Sequence, residues 1–440
     1  MIRFSTILSI LFILLFASML NLSFLTNYDD GVASLSGPWG TFKLISRILF
    51  MLTGLYFLVT RANQFYVAYK GPVLFLLLFF LISFMSLSYS SDRVLSLIRL
   101  VEHVGIFIGV VALWLSIASE RRENHVLNLI LIGCCFLIFV VWCFVLIDPV
   151  LAFRELGTLG PVLGGSVLHS HTLGHCAVYL MLLLLSRWNE VLRSRLGFLA
   201  KIGSAAFLIA TVALTQSRSS VVILLVGVSL ILMSRSSATY RLVNVRRYLF
   251  VVMSISTFIL LLPYGYEMMI RDGDISNFTT LGSRSLIWST IASQVLNESP
   301  LLGYGYQMLS LNGSEFELVP GVMRGMAHNA YIQTLAGLGI MGFVVILIQS
   351  GITYSHIFRP PKLLRVSLDQ NSKRNYALVA VVCLGSSLSE FGMVGPTSPT
   401  VPIYFVLVVY ASLITRTRYT VPDRLTNKVH RVAYLNRSQR

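Results

Sequence analysis

The chain has 440 residues, of which 55% are hydrophobic and 12% charged, with a mean hydropathy of +0.77 and a formal net charge of +16. A soluble domain carries roughly a quarter charged residues, so a soluble enzyme is excluded. The basic excess does not mark a nucleic-acid protein, because the Lys and Arg residues sit mainly in short loops between apolar runs.

In chain order, apolar spans are predicted at about 4–20, 44–60, 71–90, 98–117, 126–147, 171–186, 199–215, 219–234, 247–264, 331–354, 375–392 and 400–415. Each approaches the roughly twenty residues needed to cross a ~30 Å hydrocarbon core as a helix. The first, behind Arg3, resembles a signal peptide. No small-residue cleavage site followed by a soluble domain is evident, so a retained helix is expected. The fold class expected is all-α, a polytopic membrane protein of about twelve spans forming one integral membrane domain over 1–440. An even number of spans puts both termini on one side. With the N-terminus placed inside, 25 of the 34 Lys and Arg residues fall on cytoplasmic segments, the asymmetry of the positive-inside rule. The segment 265–330 is then a large outward loop between helices 9 and 10. Within it SRSLIWSTIASQVL (283–296) spaces Leu286, Ile287, Ile291 and Val295 as an amphipathic helix, expected to lie on the membrane surface or cap the bundle.

The polar residues that stand out lie at the outer helix ends. Arg218 occupies the very short turn between spans 7 and 8, where a snorkelling guanidinium or a fixed cation for a phosphate both fit. Arg284 opens the amphipathic stretch. A cation there opposes the helix dipole, a cost that a phosphate drawn to the free backbone donors would offset. His328, with Asn329 and Tyr331 after it, precedes span 10. Neutral imidazole accepts a proton near ambient pH, although a satisfied interfacial His is the plainer reading. Arg324 lies four residues earlier. In FRELGTLGPVLGGSVLHSHTLGHCA, Arg154, Glu155, His169, His171 and His175 stand among glycines. His171 and His175 share a helical face, but there is no third metal ligand at a recognised spacing, and no metal is expected. Glu102, near the outer end of span 4, is an intramembrane carboxylate and so a functional candidate, or else a partner for an arginine.

Taken together, QSRSS (216–220), SRSLIW (283–288), ESPLLGYGY (298–306) and AHNAYIQTLAGLGIMGF (327–343) resemble the bacterial family of O-antigen ligases and Wzy-type O-antigen or exopolysaccharide polymerases. The Arg–Gly segment before the sixth span is similar to that family as well. The motifs cover about 154–343. The resemblance implies a GT-C-like inner-membrane glycosyltransferase with its active site on the periplasmic face and its termini in the cytoplasm. It further implies a donor glycan on undecaprenyl pyrophosphate and an acceptor that is either another lipid-linked glycan, for a polymerase, or lipid A–core, for a ligase. Arg218, Arg284 and His328 match the family's motif residues. This chain has Ser285 where Thr is common in relatives and His171–Thr172 where Asn is frequent.

On that resemblance the catalytic set expected is His328, Arg218 and Arg284. Arg218, Arg284, Arg324 and Arg154 would hold the donor pyrophosphate, and His328, Asn329 and Tyr331 would position the acceptor. Glu102, Glu155, His171 and His175 are secondary candidates, the first two for a carboxylate-assisted path. Transfer is expected to invert the sugar configuration without metal or other cofactor. The partners expected are the lipid-linked donor, the acceptor, membrane lipids and a chain-length regulator, with no nucleic acid. The rival of another class is a lipid-linked oligosaccharide flippase or transporter. That would call for inverted repeats or mid-bilayer ionisable groups, and no repeat is evident.

Overall fold

The computed structural model describes residues 4–21, 38–61, 71–117, 122–155, 160–187, 195–234, 284–307, 327–359, 370–390, 393–394 and 398–420. Its helices are α1 (Phe4–Ala17), α2 (Pro38–Thr60), α3 (Pro72–Met85), α4 (Arg93–Ser116), α5 (Arg122–Ile147), the single turn α6 (Pro149–Ala152) and α7 (Ser170–Ser186). They continue with α8 (Arg195–Leu214), α9 (Arg218–Ser234), α10 (Arg284–Glu298), α11 (Ala330–Phe358), α12 (Gln370–Ser389) and α13 (Thr400–Thr420). Between α6 and α7 the outward segment forms a small antiparallel hairpin, β1 (Phe153–Glu155) and β2 (Pro161–Leu163), with Arg154 opposite Val162. That hairpin was not expected, and otherwise the fold is all-α.

The expected twelve spans are corrected by the helix lengths. Among the described residues, five helices are long and apolar enough to cross a membrane: Trp39–Thr60, Arg93–Ser116, Asn124–Ile147, Gly197–Leu214 and Ala330–Phe358. Five more apolar helices are shorter, Phe4–Ala17 among them. At ~1.5 Å rise per residue, that fourteen-residue helix covers about 21 Å. The apolar run of span 1 is longer than its helix because the chain leaves helical geometry after Ala17. Span 3 likewise ends α3 at Met85 and continues as a 3-10 turn, Ser86–Ser88. Hydropathy counts apolar residues and is blind to where the backbone stops being helical. The predicted span 247–264 lies outside the described residues. The chain is a multi-pass membrane protein by its several long apolar helices.

The packing directions follow from paired contacts. α7 and α9 run parallel, with Gly174 against Ser220 and Leu182 against Gly227. α12 runs against both: Arg374, near its start, bonds Ser186 at the end of α7, and Gly385 packs on Ile223 of α9. The starts of α7 and α9 therefore gather at one end of the bundle with the finish of α12. The interior is apolar and aromatic, with Trp114, Tyr179, Tyr376 and Tyr404 fully buried.

The start of α11 joins that end through an interrupted helix. Gly339, at φ 61° and ψ −161°, breaks α11 into two pieces, a backbone geometry essentially reserved for glycine. The break leaves the carbonyls of Ala336 and Gly337 and the amides of Ile340 and Met341 without their i→i−4 partners. The 300–305 segment supplies all four. Tyr304 and Gly305 amides donate to Ala336 and Gly337 at 2.9 and 2.8 Å, while Ile340 and Met341 amides donate to Pro300 and Leu301 at 2.8 and 3.4 Å. The two backbones approach so closely that a Cβ on Gly339 would lie 2.4 Å from the Leu301 carbonyl carbon, and one on Gly303 would lie 2.5 Å from the Gly339 nitrogen. A broken helix inside a membrane protein is tolerated only where its backbone groups are re-satisfied, and here ESPLLGYGY does so.

The amphipathic stretch forms α10. Ile287, Ile291 and Val295 are buried against Ala327, Leu335 and Ala336, and Trp288 Nε1 donates to the Ala327 carbonyl at 2.7 Å. α10 thus caps the first half of α11. Gly339→Ala is expected to lower stability by at least ~2 kcal/mol, since it combines backbone strain with a backbone clash. Thermal unfolding of the detergent-purified protein checks this, and an unchanged midpoint would contradict the close packing at the break.

Candidate active site

The carboxylate of Glu390 is the centre of the polar cluster at this end. It follows directly on the last residue of α12, and its amide still donates to Ser386 at 2.8 Å. His328 Nδ1 lies 3.0 Å from Oε2, Arg284 Nη2 lies 3.3 Å from Oε1, and His171 Nε2 lies 3.7 Å from Oε1. The Glu390 side chain is 12% exposed. Burial pushes its acidity down, but the hydrogen bond from His328 and the charges of His171, His328 and His169 outweigh that and hold its pKa at about 2. The group is therefore ionised across the physiological range. An ionised carboxylate has no proton to give, so Nδ1 of His328 must carry the hydrogen. Nε2 is the ring nitrogen that does not face Glu390.

Each neighbour is placed by its own element. Arg284 is the first residue of α10, and its Nη1 also donates to the Ser389 carbonyl at 2.7 Å. One guanidinium thereby holds both the side chain of Glu390 and a free carbonyl at the end of α12, where a cation is favoured by the helix dipole. His328 adopts a left-handed backbone, φ 46°, uncommon without glycine. Asn329 follows in extended geometry as the N-cap of α11, its Oδ1 accepting from Tyr331 and Ile332 amides at 2.9 and 3.2 Å. Its Nδ2 donates to the Leu388 carbonyl at 3.2 Å, so Asn329 ties the start of α11 to the end of α12. The Tyr331 hydroxyl donates to Ser350, one step into the bundle. Both residues were expected to position an acceptor; here they set the backbone on which His328 is carried.

Across the cluster, α7 and α9 contribute a hydroxyl-imidazole layer. α7 begins at Ser170, so His171 and His175 do share a face. His171 Nδ1 is hydrogen-bonded to Ser217 Oγ at 2.9 Å and His175 Nε2 to Ser219 Oγ at 3.3 Å. Ser217 accepts from Ser220 Oγ at 2.7 Å. Arg218 stands between those two histidine-bound serines as the first residue of α9 and is half-buried. His169 lies beside His171, with ring centroids 5.3 Å apart and the rings tilted by 42°, and within the field of Glu390, His328, Arg154 and Arg284.

The structure thus brings Arg284, His328 and His171 onto one carboxylate, with His175 and Arg218 alongside. Arg154 is exposed on β1, within electrostatic reach of His169. Glu155 ends that strand. Arg324 lies outside the described residues. Glu102 is elsewhere: both of its oxygens are held by Arg47 and Arg99, at 2.5 and 3.0 Å, so it serves as an arginine partner. Among the described residues no group of three or more His, Cys, Asp and Glu is arranged to hold a metal ion. Glu390 was not among the expected residues. A single carboxylate closing the apolar run LGSSLSEFG was the available signal.

Residues 203–347 match a family model described as O-antigen ligase. That stretch of the chain is similar to the O-antigen ligase family. The matched third contains Arg218, Arg284, the 300–306 segment and His328. His171 and Glu390, which complete the cluster, lie outside it. No curated protein matches the chain. The match supports an enzyme of the glycosyltransferase and ligase type.

Glu390 stabilises the folded state fully above its unfolded-state pKa, near 4.5, and that contribution fades as pH falls toward 2. Wild type is expected to lose stability across this acid window, by about 3 kcal/mol at most, whereas Glu390→Gln should lack that step. Thermal unfolding measured from neutral pH downward makes the comparison, and identical acid profiles would contradict the assigned ionisation.

Proposed function

We propose that this protein transfers a glycan from undecaprenyl pyrophosphate to a hydroxyl of a second glycan, as a Wzy-type polymerase acting on the periplasmic face. The observation that carries the reading is His328 paired with an ionised, buried carboxylate that Arg284 also holds, within a chain similar to this family. Glu390 keeps the proton on Nδ1, and Nε2 accepts the proton of the acceptor hydroxyl as its oxygen attacks the anomeric carbon. The anomeric C–O bond to pyrophosphate breaks on the opposite face, so the sugar configuration inverts. Undecaprenyl pyrophosphate departs with the bonding electrons. Arg284 has donors beyond those engaged by Glu390 and Ser389, and with Arg218 it would meet the charge growing on that leaving group. Partial burial of these side chains strengthens such fixed charges. Arg154, within electrostatic reach of His169, would extend this set toward the donor. The active end opens to the periplasm if the termini are cytoplasmic, as the Lys and Arg distribution favours.

A second reading has an observation of its own. The matching family model is described as O-antigen ligase, which favours lipid A–core as the acceptor with the same donor and the same chemistry. Deleting the gene separates the two. Accumulation of single lipid-linked repeat units indicates a polymerase, and complete lipid-linked chains that fail to reach lipid A–core indicate a ligase. A chain-length regulator would be a partner under either reading.

Turnover by purified protein with a lipid-linked donor tests the mechanism. Arg284→Ala is expected to lower the rate about 10²–10³-fold and His328→Ala about 10²–10⁴-fold, with expression and monodispersity retained. Near-normal rates in either variant would remove the role assigned to that residue. Glu390→Gln should cost about 10²–10⁴-fold, because the amide can present either a donor or an acceptor to Nδ1 and no longer selects one tautomer.

A further inference from the structure

A second charged cluster near the starts of α2 and α4 takes no part in the transfer chemistry above. These helices run parallel, in register from Arg47 and Glu102 through Met51 and Gly105 to Gly54 and Gly109. Arg47 Nη1 lies 2.5 Å from Glu102 Oε1, and Arg99 Nη1 lies 3.0 Å from Oε2. The side chains of Arg47 and Glu102 are 4% and 3% exposed. Lys43, one turn before Arg47, is half-buried and feels the charges of Arg47, Arg99 and Glu102. Among the described residues, three cations therefore share one carboxylate whose oxygens are both taken, and Arg47 Nε and Nη2 are buried with no hydrogen-bond partner.

Such an arrangement is electrostatically incomplete. Buried guanidinium donors are ordinarily satisfied, and a buried excess of one charge sign is costly without a counter-ion. The cluster is also wired to the transferase end. Ser96 of α4 donates to the Tyr306 carbonyl at 2.8 Å, and the Tyr306 amide donates to Ser86 Oγ at 3.1 Å. Tyr306 closes the segment that repairs the break in α11.

We infer that Lys43, Arg47 and Arg99 form a second anion site, which takes the phosphate group of a lipid at the same end of the bundle as the transferase cluster. Arginine's planar fork suits two phosphate oxygens at once, and Arg47 keeps two adjacent donors, Nε and Nη2, for that purpose. Lys43 and Arg99 retain some open surface, by which the phosphate reaches the cluster. The occupant is a phosphate-bearing lipid, either a bulk anionic phospholipid or a polyprenyl phosphate carrier. The site itself does not depend on the transferase reading; only the carrier-lipid occupant does.

Inorganic pyrophosphate titrated calorimetrically into the full chain in phosphatidylcholine nanodiscs tests this without any turnover. Two binding equivalents are expected, one lost in Arg284→Ala and the other weakened about tenfold by Lys43→Gln and by Arg99→Gln. Both of the latter variants keep the Arg47–Glu102 pair and should stay folded, with transfer measured alongside. A single equivalent, abolished by Arg284→Ala and untouched by Lys43→Gln and Arg99→Gln, overturns the second site and leaves the transferase reading standing. Conversely, the second equivalent with no transfer activity upholds the site and defeats that reading. Repeating the titration in phosphatidylglycerol nanodiscs, or with undecaprenyl phosphate added to phosphatidylcholine, identifies the source. Loss of the second equivalent in the first case assigns bulk phospholipid, and loss only in the second assigns the carrier.

Discussion

One buried carboxylate organises the polar end of this membrane protein. Glu390 is held by Arg284 from α10, His328 from the start of α11 and His171 from α7, so three elements distant in sequence converge on two oxygen atoms. An ion so buried survives only with partners. Those partners hold it ionised, and its charge in turn settles which nitrogen of His328 carries the proton. Structure and the proposed chemistry rest on the same contact: the carboxylate that ties α10 and α11 to α12 is the one that holds the imidazole of His328.

The position of His328 depends equally on a backbone exchange farther along. α11 gives up its helical hydrogen bonds at Gly339, and the 300–305 segment takes them over. The first half of α11 can therefore take a direction independent of the second while every backbone group stays satisfied. α10 buries its apolar stripe on that half-helix, and Asn329 pins its start to the end of α12. Arg284 and His328 are consequently carried on one small unit, braced by packing, by backbone bonds and by the carboxylate. Preorganisation of this kind, with fixed charges in a low-dielectric setting, is what a group transfer with a good leaving group requires from its protein.

The cations are divided between two tasks. Arg284 and the histidines surround Glu390, whereas Arg47 and Arg99 surround Glu102. The two carboxylates look alike in the sequence, each a lone acid in an apolar run. Their surroundings separate them: Glu102 has both oxygens closed off by arginines, and Glu390 is shared between an arginine and two imidazoles.

Composition and hydropathy by themselves determined that the chain is helical and membrane-embedded, because burying backbone in lipid leaves little else and the apolar residues needed are countable. Local motifs also identified Arg284 at a helix start, His171 and His175 on one face, and His328 before a helix, since caps and helical spacing are short-range properties. The number of full-length helices was not legible, because an apolar run continues unchanged through Ala17 or Met85 where the backbone stops being helical. Nor was Glu390, which lies 62 residues from its hydrogen-bond partner His328. Only tertiary structure decided that Asn329 and Tyr331 brace the backbone, that Glu102 is an arginine partner, and that Glu390 is the hub. The physical reason is that a charge's role is set by what packs beside it, and packing joins residues that no local spacing connects.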